Sequence, residues 1–264
     1  MPGKNNPHLK YIRRLAGRRF REQEGKLLVE GVRFVEEALN STWQVDMLVY
    51  TRRIRDEERG EKLLQQAAAG GIALLEVEDR LFKELSGTET PQGILAVLHQ
   101  RHNSLEELVL TGYPLLVVVD GVRDPGNLGA IIRTADAAGA SGVILLKGTT
   151  DIYNPKTLRA TMGSIFHLPV IQGCIAETVI AYLVERGIKI VAGVPRADKV
   201  VYKSDLRVPC ALAVGGEATG PGQTLLGKVD ELVRIPMPGQ AESLNVAISA
   251  AILLYEAVRQ RYVQ

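Results

Sequence analysis

Three segments of this 264-residue chain place polar side chains and glycines at the ends of apolar strands. The first, Asp120-Gly-Val-Arg-Asp-Pro-Gly-Asn127-Leu-Gly-Ala-Ile-Ile-Arg133-Thr-Ala-Asp, leaves a strand, turns sharply and opens a helix carrying an amide and a guanidinium. Such a strand-to-helix turn builds a site. Pro125 and Gly126 set the turn, and Asn127 is placed to cap the helix by accepting from the free N–H groups of its first turn. Leu128, Ile131, Ile132 and Ala135 recur at i, i+3, i+4 and i+7 as the buried stripe, and Gly139 ends the helix. Arg133 lies off that stripe, where a lone arginine is ordinarily a solvated residue. The second segment, Cys210-Ala-Leu-Ala-Val-Gly-Gly-Glu217-Ala-Thr-Gly220-Pro-Gly, is a short strand running into a glycine-rich turn with one acid. The third, Val233-Arg-Ile-Pro236-Met-Pro238-Gly-Gln-Ala-Glu-Ser243-Leu-Asn245, is a strand and a proline-stiffened loop before a long apolar helix, which Ser243 is placed to cap.

In this order and spacing the three segments resemble the signature motifs of the SpoU (TrmH) branch of the SPOUT superfamily. Members of that branch are RNA ribose 2'-O-methyltransferases that use S-adenosylmethionine. The resemblance covers nearly the whole chain: residues 112–264 look like the catalytic domain, and residues 1–100, with a basic amino-terminal arm, like the small α/β substrate-binding domain that precedes it in many members. One departure stands in the second motif, where the family usually has glycine after the acid and an aliphatic residue after the last glycine. Here Ala218 and Pro221 occupy those places.

The resemblance implies a knotted α/β fold, a homodimer completed across its catalytic domains, and roles for particular residues. Arg133 would stabilise the alkoxide that develops when a ribose 2'-hydroxyl attacks the methyl group and would grip the adjacent phosphate, since a guanidinium is protonated at any ordinary pH. Asn127 would hold substrate or orient Arg133. Glu217 is the other polar member of the centre, and Ser243 and Asn245 would line the methyl-transfer site. Gly215, Gly216, Glu217 and Gly220, with Ile235, Met237 and Leu244, would wrap the cofactor through backbone groups, glycine permitting the close approach. Gly222 is explained by turn geometry alone. Arg159, in Leu158-Arg-Ala-Thr-Met-Gly, matches a further family segment and would contact RNA or a partner subunit, or form an ordinary surface pair. Ribosomal RNA is the first expectation for the substrate and transfer RNA the second.

Two rival readings bear on the same residues. A dinucleotide-binding oxidoreductase suits the glycine-rich turns, but the chain has neither a G-x-G-x-x-G after a strand nor a G-x-x-x-x-G-K-[ST] loop. A non-catalytic RNA-binding protein retaining the fold predicts loss of the polar motif residues, and all of them are present.

The elements that position these residues follow from periodicity. In the first half, Leu27–Glu30, Val45–Tyr50, Ile72–Leu75 and Ile94–Leu98 read as strands, and Val32–Asn40, Asp56–Ala69 and Asp79–Leu85 as helices. A polar stretch, 99–107, marks the boundary. Beyond it the strands begin with Leu115 and continue at Gly142–Leu146, Leu168–Ile171, Ile188–Gly193, Ala211–Val214 and Leu232–Ile235, and a helix over Ser243–Arg259 closes the chain. Such alternation predicts an open, mostly parallel sheet covered by helices. The closing helix, apolar at Leu244, Ala247, Ile248, Ala251, Leu254, Tyr255 and Val258, should pack against the core and a second subunit.

Composition bounds the rest. An apolar content of 46% with 23% charged residues is ordinary for a globular protein, and no apolar run approaches a membrane span. The amino terminus has no apolar signal core, so a cytoplasmic location is expected. Cys174 and Cys210 read as buried free thiols, and neither cysteine nor histidine spacing implies a metal. Residues 1–21 hold seven Lys or Arg and no acid, among them Arg13, Arg14, Arg18 and Arg19. That arm is either an electrostatic footprint for phosphates or a solvated helix face.

Overall fold

The computed structural model describes residues 6–216 and 219–262. The chain runs α1 (Pro7–Leu15), α2 (Arg18–Glu24), β1 (Lys26–Glu30), α3 (Val32–Asn40), β2 (Val45–Thr51), α4 (Arg52–Asp56), α5 (Glu58–Ala69), β3 (Ala73–Val77), α6 (Asp79–Leu85) and β4 (Ile94–His99). It continues β5 (Leu115–Asp120), α7 (Pro125–Ala137), β6 (Gly142–Leu146), α8 (Pro155–Thr161), β7 (Val170–Cys174), α9 (Ala176–Glu185), β8 (Lys189–Gly193), β9 (Lys199–Val200), β10 (Cys210–Gly215), α10 (Gln223–Leu226), β11 (Glu231–Arg234) and α11 (Val246–Tyr262). Two compact units result: the chain through Arg101 together with Tyr153–Phe166, and His102–Ile152 together with the chain from His167 onward.

The first unit is built on a four-stranded sheet in the order β1-β4-β2-β3. Central β4 runs antiparallel to both its neighbours, and burial of all of Ile94–Leu98 explains why that segment is an unbroken apolar run. Edge strand β1 buries only alternate residues. Asn6 caps α1 by accepting from the His8 N–H at 2.9 Å, with Pro7 in the first turn. Leu9, Ile12 and Leu15 then face a core shared with Val49, Phe82 and Leu95. The end of α1 is closed by Arg21, which is buried and donates from Nη1 to the carbonyls of Leu15 (3.2 Å) and Ala16 (2.7 Å). The arginine-rich start of the chain is therefore a docked amphipathic helix and its cap, and only part of it is a free cationic surface.

The helix expected over Asp56–Ala69 is α5, which starts two residues later at Glu58; the short α4 precedes it across Glu57, whose backbone is extended. A Cβ at Gly60 would lie 2.1 Å from the Ile54 carbonyl oxygen, so glycine there allows the second helix to close onto the first. The Tyr153–Phe166 excursion, although it falls between β6 and β7 in the chain, packs in this unit. Phe166 meets Phe34 and Trp43 edge-to-face, with ring centroids 5.4 and 5.2 Å apart.

In the second unit seven strands form one sheet in the order β7-β6-β5-β10-β8-β11-β9, every pairing parallel. The boundary carries a short 3-10 turn, Leu105–Glu107, held by a reciprocal Ser104 and Glu107 capping box. β7 starts two residues later than expected because Pro169 has no N–H to give; its carbonyl accepts from Val143 instead. On one face Val179 and Leu183 of α9 meet Ile144, Ile190 and Ala211. α11 packs on α7 and β10, burying Val246, Ala250, Leu253, Leu254 and Ala257. Its other side leaves Ile248 and Tyr255 about half exposed. Cys210 is buried and Cys174 only half-buried; both are free thiols, and burial pushes both up in pKa. Among the described residues no helix is long and apolar enough to cross a membrane.

Glu231, at the start of β11, ties together β8, β11 and β9, the three strands at one side of the sheet. It accepts from Lys189 of β8 at 2.8 Å, from Lys199 of β9 and from Ser204. Burial favours its neutral form, but the donors from Lys189, Lys199 and Ser204 outweigh that effect and hold the carboxyl at about 2, against an ordinary value of 4.5. A depressed acid stabilises the fold above its unfolded pKa, and that stabilisation is lost as pH falls from 4.5 towards 2. Glu231→Gln is expected to lower Tm by about 2–4 °C for each ~1 kcal/mol of charged hydrogen bonding removed. Thermal melts of the two proteins should converge as pH drops through that window.

Candidate active site

Because every strand of the second sheet points the same way, the loops leaving β5, β8, β10 and β11 all lie at its carboxyl edge. That edge is also where the chain order reverses, since β6 and β7 extend the sheet from β5 in one direction and β8, β11 and β9 lie in the other. Ligands of open parallel sheets bind at such a switch point.

The loop after β5 opens α7. Its cap is Asp124, whose Oδ1 accepts from the Asn127 N–H at 2.8 Å; Asn127, expected to be the cap, sits three residues into the helix with its side chain released for other work. Pro125 is the reason, because proline is tolerated in the first helical turn and leaves the preceding residue extended. α11, expected from Ser243, begins instead at Val246. Its cap is Asn245: the Oδ1 accepts from the N–H groups of Ala247 (2.9 Å) and Ile248 (3.3 Å), and Ser243 lies two residues upstream. With Oδ1 committed to the helix, the amide of Asn245 must present Nδ2 on its other side, where it donates to Asn127 Oδ1 at 2.9 Å. The first and third motifs are thus joined by a hydrogen bond whose polarity the helix cap dictates.

Beside this pair, Ile235, Met237, Ser243 and Leu244 line one small cavity together with Gly193, Val194, Pro195, Val233 and Ser249. The sequence reading did not include the turn after β8. Its Gly-Val-Pro stretch is the only local sign, and its place between the other two loops comes from β8 lying between β10 and β11. Among the described residues, the backbone groups of Met237 to Leu244 make no hydrogen bonds to the rest of the chain. These groups are therefore available to a ligand edge.

The loop after β10 is as tight as its glycines suggest. A Cβ on Gly215 would lie 1.9 Å from the Gly220 carbonyl carbon and the Pro221 nitrogen, so the chain folds back directly over that residue. Gly216 and Gly220 form a bridge, and Gly220 has φ of 65°. The Gly222 N–H donates to Asp120 Oδ2 at 2.7 Å, anchoring this loop to the end of β5 and giving Gly222 a turn-holding part. Glu217 and Ala218 lie outside the described residues.

Arg133 is exposed and makes no ion pair or hydrogen bond among the described residues. It lies six positions beyond Asn127, about 9 Å along α7 and about a third of a turn around it. Asn127 is bonded to Asn245, and no hydrogen bond joins it to Arg133 among the described residues. The arginines of the first unit are differently placed. Arg13 pairs with Glu84 and Arg18 with Glu22, both at 2.7 Å, and the Arg14 guanidinium stacks over Phe20 at 3.9 Å from the ring centroid. Arg19 is exposed and unpaired, and Arg159 is half-buried and unpaired, among the described residues.

A fold with glycine-tight loops at the carboxyl edge and an amide bridge across them can be set beside known proteins. The chain matches the SpoU rRNA Methylase family over residues 114–255 and the MRM3-like substrate binding domain over residues 6–96. It is 38% identical to the 23S rRNA (guanosine(2553)-2'-O)-methyltransferase RlmP of Bacillus subtilis (strain 168), covering 95% of each chain. The S-adenosylmethionine-bound rRNA methyltransferase of Sinorhizobium meliloti superposes with a TM-score of 0.90 at 34% identity, covering 100% of this chain and 98% of that one. The SpoU methyltransferase AviRb of Streptomyces viridochromogenes, also solved with that cofactor, gives 0.89 at 31% identity over 98% of this chain and 100% of its own. Gly215, which no larger residue can replace without moving backbone, and the open backbone groups of the third loop fit a cofactor held through the main chain. The chain belongs to the SpoU rRNA methylase family and is an S-adenosylmethionine-dependent RNA methyltransferase.

Proposed function

We propose that the protein methylates a ribose 2'-hydroxyl in ribosomal RNA, in the cytoplasm, as a homodimer. The observation that carries the site assignment is the Asn245–Asn127 hydrogen bond, which joins two motif loops beside the cavity lined by Ile235, Met237, Ser243 and Leu244. The likeness to ribosomal RNA 2'-O-methyltransferases over almost the whole chain supports the substrate class. A knotted path for the carboxyl-terminal segment is part of the same reading.

When bound, S-adenosylmethionine supplies a methyl group already activated by its sulfonium charge. The protein's own residues must then orient the hydroxyl and accommodate the charge that develops as its proton leaves. Asn127 and Asn245, locked to each other, hold substrate and keep the two loops in register. Ser243 lines the transfer site, and Glu217 serves there as a polar member. Gly215, Gly216, Gly220, Ile235, Met237 and Leu244 contact the cofactor through backbone and apolar surface. Arg133 stabilises the developing alkoxide and grips the neighbouring phosphate, a task for which its planar fork is suited. The exposed cations of α1 and α2 add salt-sensitive affinity for RNA phosphates.

Transfer of a labelled methyl group from the cofactor to total RNA, followed by mapping of ribose methylation with and without the protein, tests this function. A single ribosomal 2'-O-methyl mark that appears with the protein is expected; methylation confined to a base, or to transfer RNA, overturns the assignment.

The dimer reading rests on α11. Ile248 and Tyr255 stand seven residues apart on the side turned away from the buried stripe, more apolar surface than one packing face needs. Light scattering at micromolar concentration is expected to give twice the chain mass, and Ile248→Glu with Tyr255→Glu to give one chain mass without loss of helical content.

A further inference from the structure

We propose that the first unit holds a pocket for one unpaired RNA nucleotide, its base beside Phe34 and Met162 and its phosphate gripped by Arg159 and Arg33. This rests on the RNA substrate read above and names the kind of RNA the unit selects. The cavity measures about 290 Å³ with mostly apolar walls, just under the range for small-molecule pockets of roughly 300–1,000 Å³. Such a space admits a splayed base and excludes a paired, stacked one. Sequence-specific RNA recognition uses unpaired nucleotides for this reason.

Charge points to the same ligand. Elsewhere in this unit Arg13, Arg18, Arg55 and Arg59 are matched by Glu84, Glu22, Glu76 and Glu36. Arg33 and the half-buried Arg159, on the cavity wall, have no ion pair or hydrogen bond among the described residues. A partly desolvated guanidinium without a counter-ion favours an anion. The carboxylate on the same wall, Glu30, is already engaged: it accepts from Ser86 Oγ at 2.5 Å, Thr88 Oγ1 at 2.7 Å and the Gly87 N–H at 3.0 Å. Gln92 accepts from the Val32 N–H through Oε1 at 2.8 Å, which leaves the two N–H donors of its amide for a base edge.

The rim carries a strained residue. Met162 has φ of 52°, the only non-glycine residue with positive φ among those described, and its large apolar side chain is 49% exposed. Strain of this kind persists where surrounding structure holds it, and it concentrates at ligand clamps. A thioether pressed to an aromatic base is favourable. A second cavity of about 160 Å³ shares Glu30, Phe34 and Arg159 with the first. Arg159 thus stands between two spaces, where the phosphate joining successive nucleotides of a single strand falls.

Fluorescence anisotropy with the full chain tests the pocket, using a labelled ten-nucleotide single-stranded RNA and the same sequence as a duplex. The single strand is expected to bind more tightly. Arg159→Ala and Met162→Gly, the latter tolerant of the positive φ, should each weaken it by about 10-fold, the scale of one stacked base. Arg159→Ala should also flatten the dependence of log K on log salt by about 0.7, one phosphate's worth for a single strand. S-adenosylmethionine affinity should be unchanged in both variants, which reports an intact fold. A strand carrying 4-thiouridine should photo-crosslink to peptides containing Phe34 or Met162. Equal affinity for duplex and single strand, wild-type affinity in both variants, or crosslinks confined to the second unit would overturn the pocket. Binding is read without catalysis, so a protein that binds strands this way yet transfers no methyl to ribosomal RNA refutes the proposed function and leaves the pocket standing.

Discussion

Arg133→Ala is expected to lower methyl transfer by at least ~10²–10³-fold, the cost of deleting one preorganised donor aimed at developing negative charge. Fold and cofactor binding should survive, because Arg133 is exposed and makes no ion pair or hydrogen bond among the described residues, while the buried stripe of α7 is Leu128, Ile131, Ile132 and Ala135. Arg133→Lys should recover little, since a point ammonium cannot reproduce a planar fork. Single-turnover transfer from labelled cofactor decides the matter, and a variant within a few-fold of the native rate would reduce Arg133 to a solvated helix residue.

Asn245 is expected to separate stability from catalysis. Asn245→Ala removes both the cap of α11 and the donor to Asn127. The cap alone is worth about 1 kcal/mol, and misplacing reacting groups by about 1 Å costs roughly 10²-fold in rate. Asn245→Asp keeps an oxygen for the Ala247 and Ile248 N–H groups, so the melting temperature should return to the native value. It offers Asn127 Oδ1 an acceptor in place of a donor, so methyl transfer should stay low. Equal recovery of both would mean that Asn245 acts only as a cap.

Much of this was legible in the residues. Runs such as Leu115–Val119 and Val143–Leu146 are buried strands because every side chain in them is apolar, and α3 and α6 start and stop where their periodicity starts and stops. These are local properties, and local chemistry suffices to set them. The polar residues of the three motifs were also visible by type and spacing, as was the glycine-tight turn.

The expected caps, Asn127 and Ser243, stand three residues after and two residues before the actual ones, because several Asx and Ser residues near a helix start are equivalent by propensity. Only the actual backbone path selects Asp124 and Asn245. The same path then frees the Asn127 side chain to meet Asn245, 118 residues away in the chain. Arg21 read as one more cation of a basic arm, yet it closes the end of α1 from a buried position.

The amino-acid order by itself determined which segments are strands and helices, and which residue types stand at strand ends. Tertiary structure alone decided their neighbours. Strand order β10-β8-β11 brings Gly193–Pro195 between the two motif loops, and an excursion from between β6 and β7 gives the first unit Arg159 and Met162. The physical reason is that pairing of parallel strands and closure of long loops are settled by burial and hydrogen bonding summed over the whole sheet, and no window of sequence contains that sum.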